Sequence, residues 1–324
     1  MIEGQEGVTW PEWLALARAC EEHGVPALFR SDHYLNLDAR PERGSLDAWA
    51  TLNALAASTT KLRLGALVSP ATFRHPSELA KVVVTADHVS GGRVELGLGA
   101  GWNEREHRAY GFEFPGVRER MDRLAEQMEI VHGSWTSGEP FSFSGAFYRL
   151  EELDAQPRPV QQPHPPLIMG GSGGRRSVEL AVCWADEYNT PLVGLDAVRE
   201  RRARVVEACS RAGREPMPFS MMTGVLVGRD RDELRSRAAA LAARRDPDEL
   251  RVGTLGTGEA RDTALDAWLS RPPDGWIVGT VEEAIEQLLE VRDAGVSRVM
   301  LQHLLHTDLD AVELIGRELA PAVA

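Results

Sequence analysis

The chain has 324 residues, 43% of them hydrophobic, enough for a large buried core. Its 49 acidic residues against 36 basic ones give a net charge of −13, which speaks against a nucleic-acid ligand, whose phosphates call for a basic surface. There is no run of about 18 apolar residues, so no membrane span is expected. The first ten residues, MIEGQEGVTW, carry neither a basic nor an apolar leader region. Cys20, Cys183 and Cys209 are too few and too scattered for a disulfide framework or a zinc site. A reducing cytoplasm is the expected compartment.

From there the chain alternates between helical and extended patterns. Residues 10–23 predict an amphipathic helix with Leu14, Leu16, Ala17 and Cys20 on one side, and 26–30 (PALFR) a short apolar strand. Helix 45–58, strand 62–68, helix 76–89 and strand 93–98 follow, with Pro76 suited to a first helical turn. Helix 118–134 comes next, and then a small hairpin at 141–150 interrupts the rhythm. Strand 166–169, helix 175–183, strand 186–189, helix 195–212, strand 220–227 and helix 230–244 resume it. Helix 281–294, strand 298–302 and helix 308–319 complete it. Seven strands and a stub at Met1 and Ile2 make eight βα units. Such units with strongly apolar strands form a parallel sheet covered by helices. Eight favour a closed (β/α)8 TIM barrel over an open doubly wound sheet. The first strand reads as clipped, as from a late start or a trimmed chain. No linker-like change of composition divides 1–324, which reads as a single domain. Residues 246–274 break the pattern with prolines, glycines and charges, and are expected to form an insertion or lid over the mouth.

In a barrel the chemistry collects at the C-terminal ends of the strands. The richest such end is RVELGLGAGWN, Arg93 to Asn103, a buried strand that runs into Gly97, Gly99 and Gly101. A strand that sheds its side chains there lets something flat or large approach the backbone. After the 26–30 strand come Asp32 and His33. An imidazole titrates near neutral pH and serves as general acid or base, and an adjacent carboxylate can orient it; the bland alternative is an Asp helix cap. The run MGGSGGRRS, Met169 to Ser177, has three readings. It is an anion cradle of backbone N–H groups with Arg175 or Arg176 adding charge. Or it is a nucleophile elbow, since Gly170 to Gly174 satisfies G-x-S-x-G, with His303 or His306 as base. Or it is a flexible turn. No dinucleotide fingerprint is complete, because GLGAGW fails G-x-G-x-x-G at its last position. No metal site is expected.

Four segments carry a resemblance. They are Phe29 to His33 (FRSDH), Leu64 to Pro76 (LGALVSPATFRHP), Ser90 to Trp102 (SGGRVELGLGAGW) and Pro165 to Gly171 (PPLIMGG). Over about 10–189 the chain resembles the bacterial luciferase-like monooxygenase superfamily, and within it the coenzyme F420-dependent branch. The C-terminal third matches in architecture only. The resemblance implies a TIM barrel with a deazaflavin or flavin across its mouth. The ring would rest on a bulge of Leu67, Val68 and Ser69, with a non-proline cis peptide placed at Leu67–Val68. Gly99, Ala100, Gly101 and Trp102 would line the mouth, and Gly170, Gly171, Ser172, Gly173, Gly174 and Arg175 would take the phosphate. Deazaflavin-dependent sugar-phosphate dehydrogenases carry a glutamate directly after the mouth glycines. Here Trp102 stands in that place, with Glu104 and Glu106 displaced, so sugar-phosphate oxidation is not expected.

The expected activity is hydride transfer between C5 of coenzyme F420, an 8-hydroxy-5-deazaflavin, and a small organic substrate. His33 would be the acid or base, Asp32 would hold it or the ring's polar edge, and Glu104 is a further candidate. The alternatives are an FMN-dependent monooxygenase fed by a partner reductase, a serine hydrolase using Ser172, and a barrel that only binds flavin. A homodimer is expected.

Overall fold

The protein is described by a computed structural model over residues 1–37, 42–244 and 259–324. Its chain enters helix α1 (Trp10–His23) through a capping box in which Thr9 and Glu12 exchange hydrogen bonds. The helix stops at Gly24, whose φ of 78° places it in the left-handed region. Trp13, Leu16, Ala17 and Cys20 form the buried face, so Trp13 takes the place expected for Leu14. Next come β1 (Ala27–Arg30), α2 (Ala48–Ser58), β2 (Arg63–Pro70), α3 (Pro76–Ser90) and β3 (Val94–Gly99). The short α4 (Glu104–Tyr110) and long α5 (Val117–Thr136) precede an antiparallel pair, β4 (Phe141–Ser144) and β5 (Arg149–Leu153). The rhythm returns with β6 (Leu167–Gly170), α6 (Arg175–Trp184), β7 (Glu187–Pro191), α7 (Leu195–Arg211), β8 (Phe219–Gly228) and α8 (Arg231–Arg244). The last elements are α9 (Glu259–Ser270), β9 (Ile277–Thr280), α10 (Val281–Asp293), β10 (Arg298–His303) and α11 (Leu309–Leu314), which runs on through a π-helical turn.

The strands order as β1-β2-β3-β6-β7-β8-β10, each parallel to its neighbours, with β9 paired to the far end of β8. β3 is buried at all six positions, which is why these strands read as apolar runs rather than alternations. The two edges meet through Met1 and Ile2. The Ile2 N–H donates to Phe29 O at 2.9 Å and the Ser31 N–H to Ile2 O at 3.2 Å. On the other side the Met1 amino group donates to Leu301 O at 2.9 Å and the His303 N–H to Met1 O at 3.0 Å. These two residues are an eighth, very short strand, and the architecture is the expected (β/α)8 TIM barrel.

The main core lies between the sheet and its helices. Inside the ring, the N-terminal end is plugged by charge: Glu95 binds Arg63 at 2.6 Å and Arg298 at 2.8 Å, and Arg298 also binds Glu187 at 2.6 Å. Above that plug Phe29, Leu67, Ile168 and Met300 form an apolar layer. The mouth opens above this layer.

Three elements differ from expectation. α4 and β9 were not foreseen. Of the expected 246–274 lid, residues 259–270 are helical, and 246–258 fall outside the described residues. No helix among the described residues is long and apolar enough to cross a membrane.

Candidate active site at the barrel mouth

A cavity of about 750 Å3 opens at the C-terminal ends of the strands, within the range of small-molecule and cofactor sites. Of the expected cofactor contacts, Leu67, Val68, Gly99, Ala100, Gly101, Trp102, Gly170, Gly171, Ser172, Gly174 and Arg175 line it, together with Asp32 and His33. Ser69 and Gly173 sit behind the wall. Ser69 is fully buried, its hydroxyl donating to Asp32 at 2.8 Å and accepting from the Trp49 indole at 2.9 Å. The Gly173 N–H donates to the Tyr188 hydroxyl at 2.8 Å.

The floor of the cavity comes from β2. The Leu67–Val68 peptide is cis, at the place expected, and the β2–β3 register shifts between Ala66 and Ser69. This bulge lodges the Val68 side chain between two bare backbones. A Cβ at Gly99 would lie 2.6 Å from one Val68 methyl, and a Cβ at Gly170 2.6 Å from the other. Neither neighbour takes a side chain unless Val68 shifts, because real Cβ atoms do not approach so closely. The glycines at these two strand ends are therefore dictated by Val68.

His33 stands beside that floor. Its ring meets Trp102 edge-on at 5.6 Å between centroids, and Trp102 is 64% exposed. The partner of His33 is Glu106. The Nδ1–H donates to Glu106 Oε2 at 2.8 Å, and Glu106 Oε1 accepts from the backbone N–H groups of Tyr34 and Leu35, the latter at 2.9 Å. Glu106 is fully buried. Burial raises its pKa, but the bonds from His33 and from the two amides outweigh that and hold it below the usual carboxylate value. For His33 burial pulls the pKa down, yet the hydrogen bond and charge of Glu106, with Glu3 and Asp32 behind them, leave it above the ordinary imidazole value. Among the described residues no hydrogen bond ends on His33 Nε2, and the side chain lines the cavity.

Asp32 does not orient His33. Its carboxylate is forked by Arg74, at 2.5 and 3.3 Å, and receives the Ser69 hydroxyl. Arg74 also binds Asp47, the N-cap of α2, at 2.7 Å and the Tyr34 hydroxyl at 3.0 Å. Burial disfavours the Arg74 cation, but Asp32 and Asp47 more than compensate and raise its pKa. Glu104, the other expected catalytic residue, is exposed on the first turn of α4 and does not line the cavity. His107 is buried and tied to Thr72 and to the Asn103 carbonyl, both at 2.6 Å. His303 binds the Asp308 carbonyl at 3.0 Å, and burial drops its pKa to about 4. Ser172 is exposed on the rim, and among the described hydrogen bonds none joins it to a histidine. That removes the support for an elbow.

The opposite wall is the glycine loop. The Gly171 N–H donates to Asn189 O at 3.0 Å, and a Cβ there would lie 2.5 Å from the Tyr188 hydroxyl. Gly173 adopts a φ of 75°, a conformation glycine reaches without strain. α6 then begins at Gly174 with no side-chain cap, so its first amides and the positive end of its dipole are available to an anion. Arg175 is exposed and paired with Glu179 at 2.7 Å, while Arg176 holds Asp122. The loop therefore offers backbone first and charge second. Floor, glycine loop and cavity volume together fit a flat ring that carries a phosphate.

Glu106 is the residue that sequence reasoning underrated. The signal was present: Asn103 caps α4, accepting from the Glu106 N–H at 3.3 Å, and Gly111 closes it at a φ of 71°. An Asn, a carboxylate three residues later and a glycine after one turn and a half describe a short helix with its carboxylate at N3.

Comparison with known proteins now fixes the class. The profile of the luciferase-like monooxygenases matches residues 2–298, and the chain belongs to that family. It is 28% identical over 286 residues to an FMNH(2)-dependent dimethylsulfone monooxygenase of Pseudomonas putida, covering 84% of this chain and 77% of that one. It is 29% identical over 321 residues to an F420-dependent glucose-6-phosphate dehydrogenase of Nakamurella multipartita, covering 94% and 90%. Among solved structures, an F420-dependent secondary alcohol dehydrogenase superposes with a TM-score of 0.77 at 22% identity, over 98% of this chain and 96% of that one. The relatives are oxidoreductases and monooxygenases, some using F420 and some reduced FMN.

Proposed function

We propose that this protein is an F420-dependent oxidoreductase acting on a small organic substrate, with His33 as the group that gives or takes the proton. One observation carries the reading: an imidazole of raised pKa, backed by the buried carboxylate of Glu106, stands beside a flat valine-and-glycine floor in a cavity of about 750 Å3. When bound, the deazaflavin supplies a hydride donor or acceptor at its C5, chemistry that no side chain provides.

The chain supplies the rest. Val68, seated between Gly99 and Gly170, gives the ring an apolar support. The amides at the start of α6 hold the phosphate, with Arg175 and Arg176 at the rim. Trp102, edge-on to His33 at the mouth, helps keep water off the transfer. Glu106 fixes the proton on His33 Nδ1, so Nε2 is the nitrogen that exchanges a proton with substrate. Asp32 is held back by Arg74 and keeps its loop in place rather than moving a proton.

F420 is preferred because the F420-dependent relative is similar over more of both chains than the FMN-dependent one. The second reading, an FMN-dependent monooxygenase served by a reductase, takes its support from the dimethylsulfone monooxygenase. The test is anaerobic titration of the protein with oxidised and reduced F420 and FMN, followed by visible absorbance. F420 is expected to bind more tightly in both redox states. Tight binding of reduced FMN with none of F420 overturns the proposal.

A further inference from the structure

Behind the glycine loop lies a second recess. Helices α6 and α7 pack side by side. Between them a cavity of about 310 Å3 is lined by Gly173, Arg175 and Val178 on one side and by Arg204, Glu207 and Arg211 on the other. Arg175 also lines the barrel mouth, so mouth and recess meet at this residue. Gly173, on the recess side of the loop, puts no side chain in the way of a chain that passes from one to the other.

The α7 side of the recess is rich in arginine. Residues 199–204 read RERRAR, and Arg211 follows Arg204 on the same face of the helix, about two turns further on. Two members of the run fasten α7 to the loop. Arg204 Nη1 donates to Gly173 O at 3.2 Å. Arg201 packs against Gly173, where a Cβ would lie 2.7 Å from its Cγ, and donates to Thr190 Oγ1 at 2.7 Å. On a chain of net charge −13, a recess lined by Arg175, Arg204 and Arg211 against Glu207 alone is a local exception. The three arginines are exposed, and each is paired with a glutamate of its own helix. Arg175 binds Glu179 and Arg211 binds Glu207, both at 2.7 Å, and Arg204 binds Glu200. Exposed pairs of this spacing are weak. A guanidinium also carries five N–H donors, more than one carboxylate uses. Each arginine therefore has donors left for a second anion.

We propose that this recess binds an oligocarboxylate chain that leaves the cofactor's phosphate: the glutamate tail of coenzyme F420. The inference rests on the F420 reading above. F420 continues past its phosphate through a lactyl group into γ-linked glutamates, each with a free carboxylate, whereas FMN ends at the phosphate. Beyond the phosphate taken by the α6 amides, Arg204 and then Arg211 pair with the carboxylates of the tail. Cations set two turns apart along a groove suit a chain of charges better than a single anion.

The experiment is isothermal titration of the full chain with F420 and with its phospholactyl form, which has the same ring and phosphate but no glutamates. Wild type is expected to bind F420 about tenfold more tightly than the glutamate-free form. The double variant Arg204→Gln, Arg211→Gln is expected to lose that preference while binding the glutamate-free form as wild type does. The double variant Arg204→Lys, Arg211→Lys, which keeps the charges, is expected to retain most of it. Equal affinity of wild type for the two forms overturns the inference, as does a preference that survives in the glutamine variant. An equal loss for both forms in the glutamine variant would make the arginines props of the glycine loop, and overturns it too. Binding of neither form by wild type overturns the F420 reading itself, which separates that failure from a failure of the recess alone.

Discussion

The two walls of the mouth are built on opposite principles. On the β1–β2 side three charge pairs are already matched: Asp32 with Arg74, Arg74 with Asp47, His33 with Glu106. On the β6–α6 side there is almost no side chain, only Gly170 to Gly174 and an uncapped helix start. A matched charge network fixes geometry and tunes a pKa, but it has nothing to spare for a ligand. A bare backbone holds an anion without tuning anything. On the proposed function, chemistry and binding fall on different strands, and substitutions should separate them.

The largest expected effect is on the chemical wall. His33→Ala is expected to slow the transfer step about 10²–10⁴-fold, the usual range for a general acid–base group, while cofactor affinity changes little. Single-turnover oxidation of reduced deazaflavin, read by visible absorbance, measures it. Equal rates for wild type and variant remove His33 from the mechanism. Next comes Arg74→Ala, which leaves the buried Asp32 without its cation. Removing one partner of a buried pair costs about 3–5 kcal/mol, so the urea midpoint should fall with the slope unchanged. A loss under about 1 kcal/mol would mean that the network does not stiffen the wall.

Much of this contrast was legible in the sequence. The glycine runs and the β2 bulge announce themselves because backbone exposure is written directly as Gly and as apolar strand residues. The place of His33 at the mouth was legible because it follows a strand. Its partner was not, because a pair such as His33 and Glu106, 73 positions apart, depends on where two loops land. Asp32 was expected to hold His33 or the polar edge of the ring; neighbouring residues on extended chain point apart, and Asp32 reaches Arg74 rather than His33. β9 escaped for a different reason. Four residues, Ile277–Thr280, give neither the length nor the alternation that marks a strand.

A smaller effect probes the link between the two loops. Glu106→Gln keeps the shape but removes the charge that favours imidazolium. Burial then dominates at His33, so its pKa falls and the limb of the rate–pH profile that reports His33 moves to lower pH. Stability should respond in the matching sense. The folded pKa of His33 lies above its unfolded value, so its stabilising contribution is complete below the unfolded pKa and lost as pH rises through the folded one. Wild type should therefore lose more stability than Glu106→Gln across that interval. An unmoved profile would place the proton elsewhere.

The smallest effects belong to the binding wall. If backbone amides hold the phosphate, Ser172→Ala should change cofactor affinity only slightly, because the hydroxyl adds nothing that the amide does not already offer. Arg175→Ala should cost more, because it removes a charge-assisted contact. The side chain is exposed and engaged by Glu179, which keeps the expected loss of affinity small. Neither variant should alter the single-turnover rate once cofactor saturates. Isothermal titration with F420 separates the two, and a fluorophosphonate probe serves as the control. A covalent adduct on Ser172, or a rate defect in Ser172→Ala at saturation, would put chemistry on the wall assigned to binding and undo the division between them.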